Sequence, residues 1–146
     1  ISKDKKKIKI YNSKKKISTF CSYTLVKQLR ASILALGGLI SKHGKAVISA
    51  PGGCAIGTRP INYHLNALKK LGMKFKLKGG YIHATAKNGL KGNIFKFPKV
   101  TVTGTSNLIM ASVLAKGKSI LKNVSIEPEV IDLINSIFKF LKNGKI

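Results

Sequence analysis

The run SAPGGCAIGTRP, residues 49–60, sets Cys54 between the Gly52-Gly53 pair and Gly57, with Arg59 and Pro60 following. The thiolate is the nucleophilic form of cysteine, and positive charge or a helix N-terminus lowers its pKa from an ordinary value of about 8.5. Arg59 stands five residues beyond Cys54, and a helix is expected to start close behind it. Glycines permit backbone angles and close approaches that side chains resist, so the segment is able to close over a ligand and present sulfur to it. The same residues also fit a glycine-rich turn with an incidental cysteine, and spacing alone leaves both readings open.

The other reactive residues form no recognisable constellation. Cys21 and Cys54 have neither the CxxC spacing of a metal site nor the density of a disulfide framework. His43, His64 and His83 are scattered and read as surface or helix-flank residues. Cys21, ahead of the first helix, reads as a partly buried thiol. Glu127, Glu129 and Asp132 suit the first turn of a helix, where acids meet the positive end of the dipole. No GxGxxG or GxxxxGKS/T occurs, so nothing reads as a Rossmann or P-loop site, and no cofactor or metal is expected.

The elements that must hold the loop follow from periodicity. Residues 1–16 read as a strand-like edge between lysine clusters, with KIKIY alternating. From Tyr23 to His43 the apolar positions Leu25, Val26, Leu29, Ile33, Leu36 and Ile40 keep helical spacing, and Gly44 stands where a helix C-terminal glycine belongs. Ala46 to Ile48 is a short buried strand leading into the loop. Pro60 suits a helix first turn, and Tyr63, Leu65, Leu68 and Leu71, closed by Gly72, give a second helix. Strands are expected over 73–77, 81–86 and 93–97, with Gly79-Gly80 and Asn88-Gly89 as hairpin signals. Residues 100–102 (VTV) read as another strand, Ser106 to Ala115 as a third helix closed by Gly117, Ser119 to Leu121 as a strand, and Pro128 as the start of a fourth helix reaching about Leu141. The apolar-helix, glycine, strand order around Gly44 recurs around Gly117, about 73 residues on. This implies two βαβαββ-type units, roughly 1–75 and 76–146, in an α/β (α+β) fold.

Composition narrows the class. The chain has 146 residues, 44% of them apolar, enough for one sizeable core. It has no apolar run of membrane-spanning length and no secretory signal pattern, so a cytoplasmic protein without membrane contact is expected. A net charge of +24 with four acids would ordinarily point to nucleic acid. Yet all but two of the 28 basic residues are lysine, spread over the whole chain, whereas nucleic-acid readers favour arginine. Lysine-for-arginine drift in an A+T-rich genome gives the same composition, which favours weak, non-specific polyanion affinity over specific nucleic-acid binding.

The run LRASILALGGLISKHGKAVISAPGGCAIGTRPINYHLNALKKLG, residues 29–72, resembles the enolpyruvyl transferases that act on UDP-N-acetylglucosamine, and FPKVTVTGTSNLIMASVLAKG (97–117) and EPEVIDL (127–133) continue the resemblance in register. PGGCxIGxRP with the RAS helix is its most specific part. The resemblance implies an inverse α/β barrel of repeated βαβαββ units and a transferase of peptidoglycan synthesis whose substrates are phosphoenolpyruvate and UDP-N-acetylglucosamine. On it, Cys54 matches the mobile-loop cysteine that protonates phosphoenolpyruvate and is alkylated by fosfomycin. Arg30 and Arg59, the two arginines of the chain, match positions that meet anionic ligands, where a guanidinium offers a two-pronged donor geometry that lysine lacks. Arg59, Pro60, Ile61, Asn62 and Tyr63 match one stretch holding the uridine diphosphate part, and Lys99, Val100, Thr101 and Val102 the second.

Three positions depart from the family pattern: Asn62 for aspartate, Thr103 for glycine and Ile126 for arginine. Asn62 keeps an acceptor but loses charge, Thr103 adds bulk beside a close backbone approach, and Ile126 removes a partner for an ion pair. The resemblance also implies two domains of three units each, of which this chain supplies about two units. The remainder, as a second chain or a missing portion, would carry the carboxylate base and further arginines, so no turnover is expected from this polypeptide alone. The contrasting classes are a non-catalytic remnant and a basic polyanion-binding or nucleic-acid-binding module, indifferent to Cys54.

Overall fold

The computed structural model describes residues 2–4, 7–9, 17–28, 30–50 and 61–143. Near the N-terminus β1 (Ser2–Asp4) pairs antiparallel with β2 (Lys7–Lys9). The main sheet has the order β3-β4-β6-β5, built from β3 (Phe20–Cys21), β4 (Lys45–Ser49), β5 (Lys74–Lys78) and β6 (Tyr81–Thr85). In β4 and β6 Ala46, Ile48, Ile82 and Ala84 point inward, while Lys45, His83 and Thr85 point out. That alternation is what a sheet with one solvated face requires. Gly79 and Gly80, at φ 56° and 76°, make the two-residue turn of the β5–β6 hairpin, as expected.

One face of the sheet is covered by helices. The segment expected to be one helix from Tyr23 to His43 is instead divided into α1 (Tyr23–Gln28), a 3₁₀ turn at Arg30–Ile33, and α2 (Leu34–His43). At the start of α2 the side-chain amide of Asn107 takes the Gly37 N–H and the Ile33 carbonyl, the two groups that an α-helix pairs with each other. Asn107 thus braces the junction of the 3₁₀ turn and α2 from the neighbouring helix α4. Gly44 ends α2 at φ 67°, with its N–H on the Ile40 carbonyl, the left-handed C-terminal cap expected of it.

The second half holds α3 (Asn62–Lys70), β7 (Ile94–Lys96), α4 (Val102–Ser112), β8 (Ile120–Lys122) and α5 (Pro128–Lys142). The expected strand over 100–102 and helix from Ser106 are both corrected. Thr101 is the N-cap of α4, its hydroxyl accepting the Gly104 N–H at 3.2 Å, and the helix starts at Val102. Asn88-Gly89 turns the chain, with Gly89 at φ 75°, yet makes no hairpin from β6 to β7. Instead β7 pairs parallel with β8, Ile94 opposite Ile120. The earlier parallel pair, β3 with β4, sets Phe20 opposite Val47. Each parallel pair is joined by a helical crossover, as parallel strands must be.

α2 packs along α4, and α3 rests on α4. Leu36, Ile40, Ile48, Leu68, Ile82 and Leu108 fill the space between them and are essentially inaccessible. Burial of side chains of this size stabilises by about 1.5–3 kcal/mol each. No helix among the described residues is long and apolar enough to cross a membrane.

Candidate functional site

Two first turns meet at the end of the helical layer. Ile61 leads into α3, whose first residues are Asn62 and Tyr63; Lys99 and Val100 are exposed and lead into α4, whose cap is Thr101 and whose first residue is Val102. The described part of the first stretch, Ile61 to Tyr63, and the second stretch, Lys99 to Val102, thus lead into helices that touch at their first turns. The direct link at this joint is His64 Nε2, 3.4 Å from the Thr103 hydroxyl. Both helix N-termini carry unsatisfied N–H groups and the positive end of a dipole. Thr101 answers one of those groups in α4 through Gly104.

His64 is 6% exposed, which corrects the expectation of a surface or helix-flank residue. His43 and His83 are exposed, as expected. Asn107, fully buried, is the hub of the cluster around His64. Its Oδ1 accepts the Gly37 N–H at 2.8 Å, and its Nδ2 donates to the Ile33 carbonyl at 3.2 Å and lies 3.0 Å from His64 Nδ1. The first two bonds fix which end of the amide is oxygen and which nitrogen. An amide nitrogen only donates, so His64 Nδ1 is an acceptor and the ring proton of the neutral imidazole sits on Nε2, facing Thr103. Burial pushes the His64 pKa down to about 4, so the ring is neutral around pH 7.

Helical spacing could have revealed both residues. Ile61, His64, Leu68 and Leu71 fall on one face of α3, as Gly104, Asn107, Leu108 and Ala111 do on α4. A polar residue at the centre of an apolar stripe is buried with a partner.

Other expectations find different outcomes. Arg30 begins the 3₁₀ turn whose last residue, Ile33, is tied to Asn107. Cys54, Arg59 and Pro60 lie outside the described residues. Cys21 is partly buried, and burial pushes its thiol pKa up. Thr103 is exposed, with its hydroxyl at His64, and Ile126 is 79% exposed ahead of α5. Glu129 lies in the first turn of α5, whereas Glu127 precedes it and makes no side-chain cap. An open pocket of about 520 Å³ lined by Gly72, Lys74, Thr85, Lys87 and Lys91 includes none of the candidate residues, so volume does not locate the chemistry here. Among the described residues no group of histidine, cysteine, aspartate and glutamate could hold a metal ion.

The chain is similar to known carboxyvinyltransferases. Residues 1–143 match the family described as EPSP synthase (3-phosphoshikimate 1-carboxyvinyltransferase). Over 145 residues the chain is 56% identical to the UDP-N-acetylglucosamine 1-carboxyvinyltransferase of Pelagibacter ubique, covering 99% of this chain and 35% of that protein. The enzyme of the same name from Wolinella succinogenes is 52% identical over 84% of this chain and 29% of its own length. That from Coxiella burnetii is 53% identical over 81% and 27%. The chain thus spans about a third of the length of the curated relatives it matches.

Among solved structures the enolpyruvyl transferase NikO from Streptomyces tendae superposes with a TM-score of 0.68 at 16% identity, over 83% of this chain and 28% of that one. EPSP synthase from Acinetobacter baumannii superposes with a TM-score of 0.53 at 20% identity, over 69% and 24%. These two likenesses establish the enolpyruvyl transferase fold. With its family match running almost from end to end, the chain belongs to the EPSP synthase family of carboxyvinyltransferases.

Proposed function

We propose that this chain is the cysteine-loop part of a UDP-N-acetylglucosamine 1-carboxyvinyltransferase, acting in the cytoplasm at the first committed step of peptidoglycan synthesis. The observation that carries the reading is the 56% identity over 145 residues to a curated relative of that name. The meeting of the α3 and α4 first turns, which bear Asn62, Tyr63, Thr101 and Val102, supports it. In this reading those residues, with Arg59, Pro60, Ile61, Lys99 and Val100, hold the uridine diphosphate part, and Arg30 meets an anionic ligand.

The sugar 3-hydroxyl oxygen bonds to C2 of phosphoenolpyruvate while the Cys54 thiol gives its proton to C3. The resulting tetrahedral adduct then loses phosphate by cleavage of its C2–O bond, and a proton leaves C3 to restore the double bond. The resemblance gives Cys54 the acid role in this reading, and Arg59, five residues on in the sequence, is a positive charge of the kind that favours thiolate formation. In this reading the base for the 3-hydroxyl and the further arginines belong to the length of the relatives that this chain does not match.

Mass spectrometry after incubation with fosfomycin, with and without UDP-N-acetylglucosamine, tests the reading. An adduct confined to Cys54 and enhanced by the nucleotide sugar is expected. No adduct, or equal labelling of Cys21 and Cys54, leaves the family membership standing and overturns the reading that this chain by itself carries an activated loop thiol.

A further inference from the structure

The hydrogen-bond chain through the joint has a direction. Asn107 Nδ2 can only donate, so His64 Nδ1 accepts. The ring proton on Nε2 is then given to the Thr103 oxygen. A hydroxyl that accepts one hydrogen bond keeps its own proton for another partner. Thr103 lies in the first turn of α4 and is exposed, so that partner comes from outside the helical layer. With the opposite imidazole tautomer, Nε2 would be the acceptor and would consume the Thr103 proton internally. Asn107 cannot rotate to permit this, because Gly37 and Ile33 hold both ends of its amide.

We infer that Asn107 is a positioning residue: acting through His64, it orients the Thr103 hydroxyl as an outward donor to an acceptor oxygen of a diphosphate bound at the joint of the α3 and α4 first turns. Thr103 thereby becomes a ligand-contacting residue beyond those named above. The ligand half of this inference rests on the reading of the joint as the holder of the uridine diphosphate part; the orientation half does not. The threonine that replaces the family's glycine is then a gained donor and not an obstruction.

The test uses the full chain labelled with ¹⁵N. The His64 nitrogens are read by NMR in the wild type and in Asn107→Asp, and binding of UDP is titrated in the wild type, Thr103→Ser and Thr103→Val. In the wild type Nε2 should be the protonated, pyrrole-like nitrogen and Nδ1 the pyridine-like one. Asn107→Asp replaces the donor with an acceptor, so His64 should acquire a proton on Nδ1. Thr103→Ser should bind UDP within about twofold of wild type, and Thr103→Val about tenfold more weakly, the scale of one hydrogen bond to a charged group.

A wild-type ring protonated on Nδ1, or Thr103→Val binding UDP as tightly as wild type, overturns the inference. Should Asn107→Asp not fold, the wild-type spectrum and the Thr103 pair still decide. Failure of UDP to bind the wild type overturns the nucleotide reading and the ligand half with it, whereas a wrong tautomer overturns the orientation alone.

Discussion

Gly37 on α2 and Asn107 on α4 lie so close that a Cβ built on Gly37 would overlap both the side-chain and the main-chain oxygen of Asn107. The two helices meet at this point because one partner has no side chain and the other supplies the hydrogen bonds that α2 lacks at its start. Backbone contact of this kind has no flexible end to move aside.

Gly37→Ala should therefore destabilise the chain by about 1–3 kcal/mol, the usual cost of overpacking a filled interior. Gly38→Ala, one residue on, meets nothing within 4 Å. It should stabilise by about 0.5–1 kcal/mol through helix propensity alone. Urea denaturation of the two variants checks the contrast, and a fall in stability for both would refute the close approach as its cause.

Acid should weaken the fold through His64. Its pKa is near 4 in the folded chain and about 6.5 when unfolded, so between these values the unfolded chain binds the extra proton. Stability is fully present above about pH 6.5 and is lost as pH falls toward 4, by about 3 kcal/mol at most. In His64→Gln this part of the slope should vanish. Denaturation midpoints across the window would show it, and parallel profiles for variant and wild type would exclude His64 as the source.

Thr101→Ala removes the oxygen that accepts the Gly104 N–H. A loss of about 1 kcal/mol is expected for such a cap, with Thr101→Ser restoring most of it. Amide exchange at Gly104 should accelerate in the alanine variant and stay slow in the serine one.

Cys21 should react sluggishly with iodoacetamide in a Cys54→Ala background, because burial raises its pKa and leaves little thiolate near pH 7. Denaturant should bring its rate to that of a free thiol. A fast reaction in the folded chain would contradict the burial seen here.

Much of the frame was legible from single residues with strong local preferences. Gly44, Gly79-Gly80 and Pro128 each stand at the cap, turn or helix start expected of them. The errors have physical causes. Val100, Thr101 and Val102 are all β-branched and favour a strand locally, yet the Thr101 hydroxyl caps a helix there. Apolar spacing runs unbroken through Leu29 and Ile33, because periodicity records which face is buried and not how the backbone is bonded. The backbone there is a 3₁₀ turn, whose last residue, Ile33, is tied to Asn107, 74 residues away in the chain. β7 chose β8 over β6 because a crossover helix was available to make a parallel pair. Within the candidate site, the stretches 61–63 and 99–102 were legible only through the family resemblance. The burial of His64 follows from its place between Ile61 and Leu68 on the apolar face of α3, a signal carried by its neighbours and not by the histidine itself.

Among the described residues β5 forms an outer edge of the main sheet, and Lys74, Lys76 and Lys78 project from it at alternate positions. An open edge of unpaired N–H and C=O groups invites a second copy to add on, and lysine is a common guard against this. Two copies docking edge to edge would oppose like charges at short range. That repulsion reaches about 10 Å at 0.1 M salt and about 3 Å at 1 M. The lysine excess therefore acts here as colloidal protection, and concentrated salt exposes the strand to self-association.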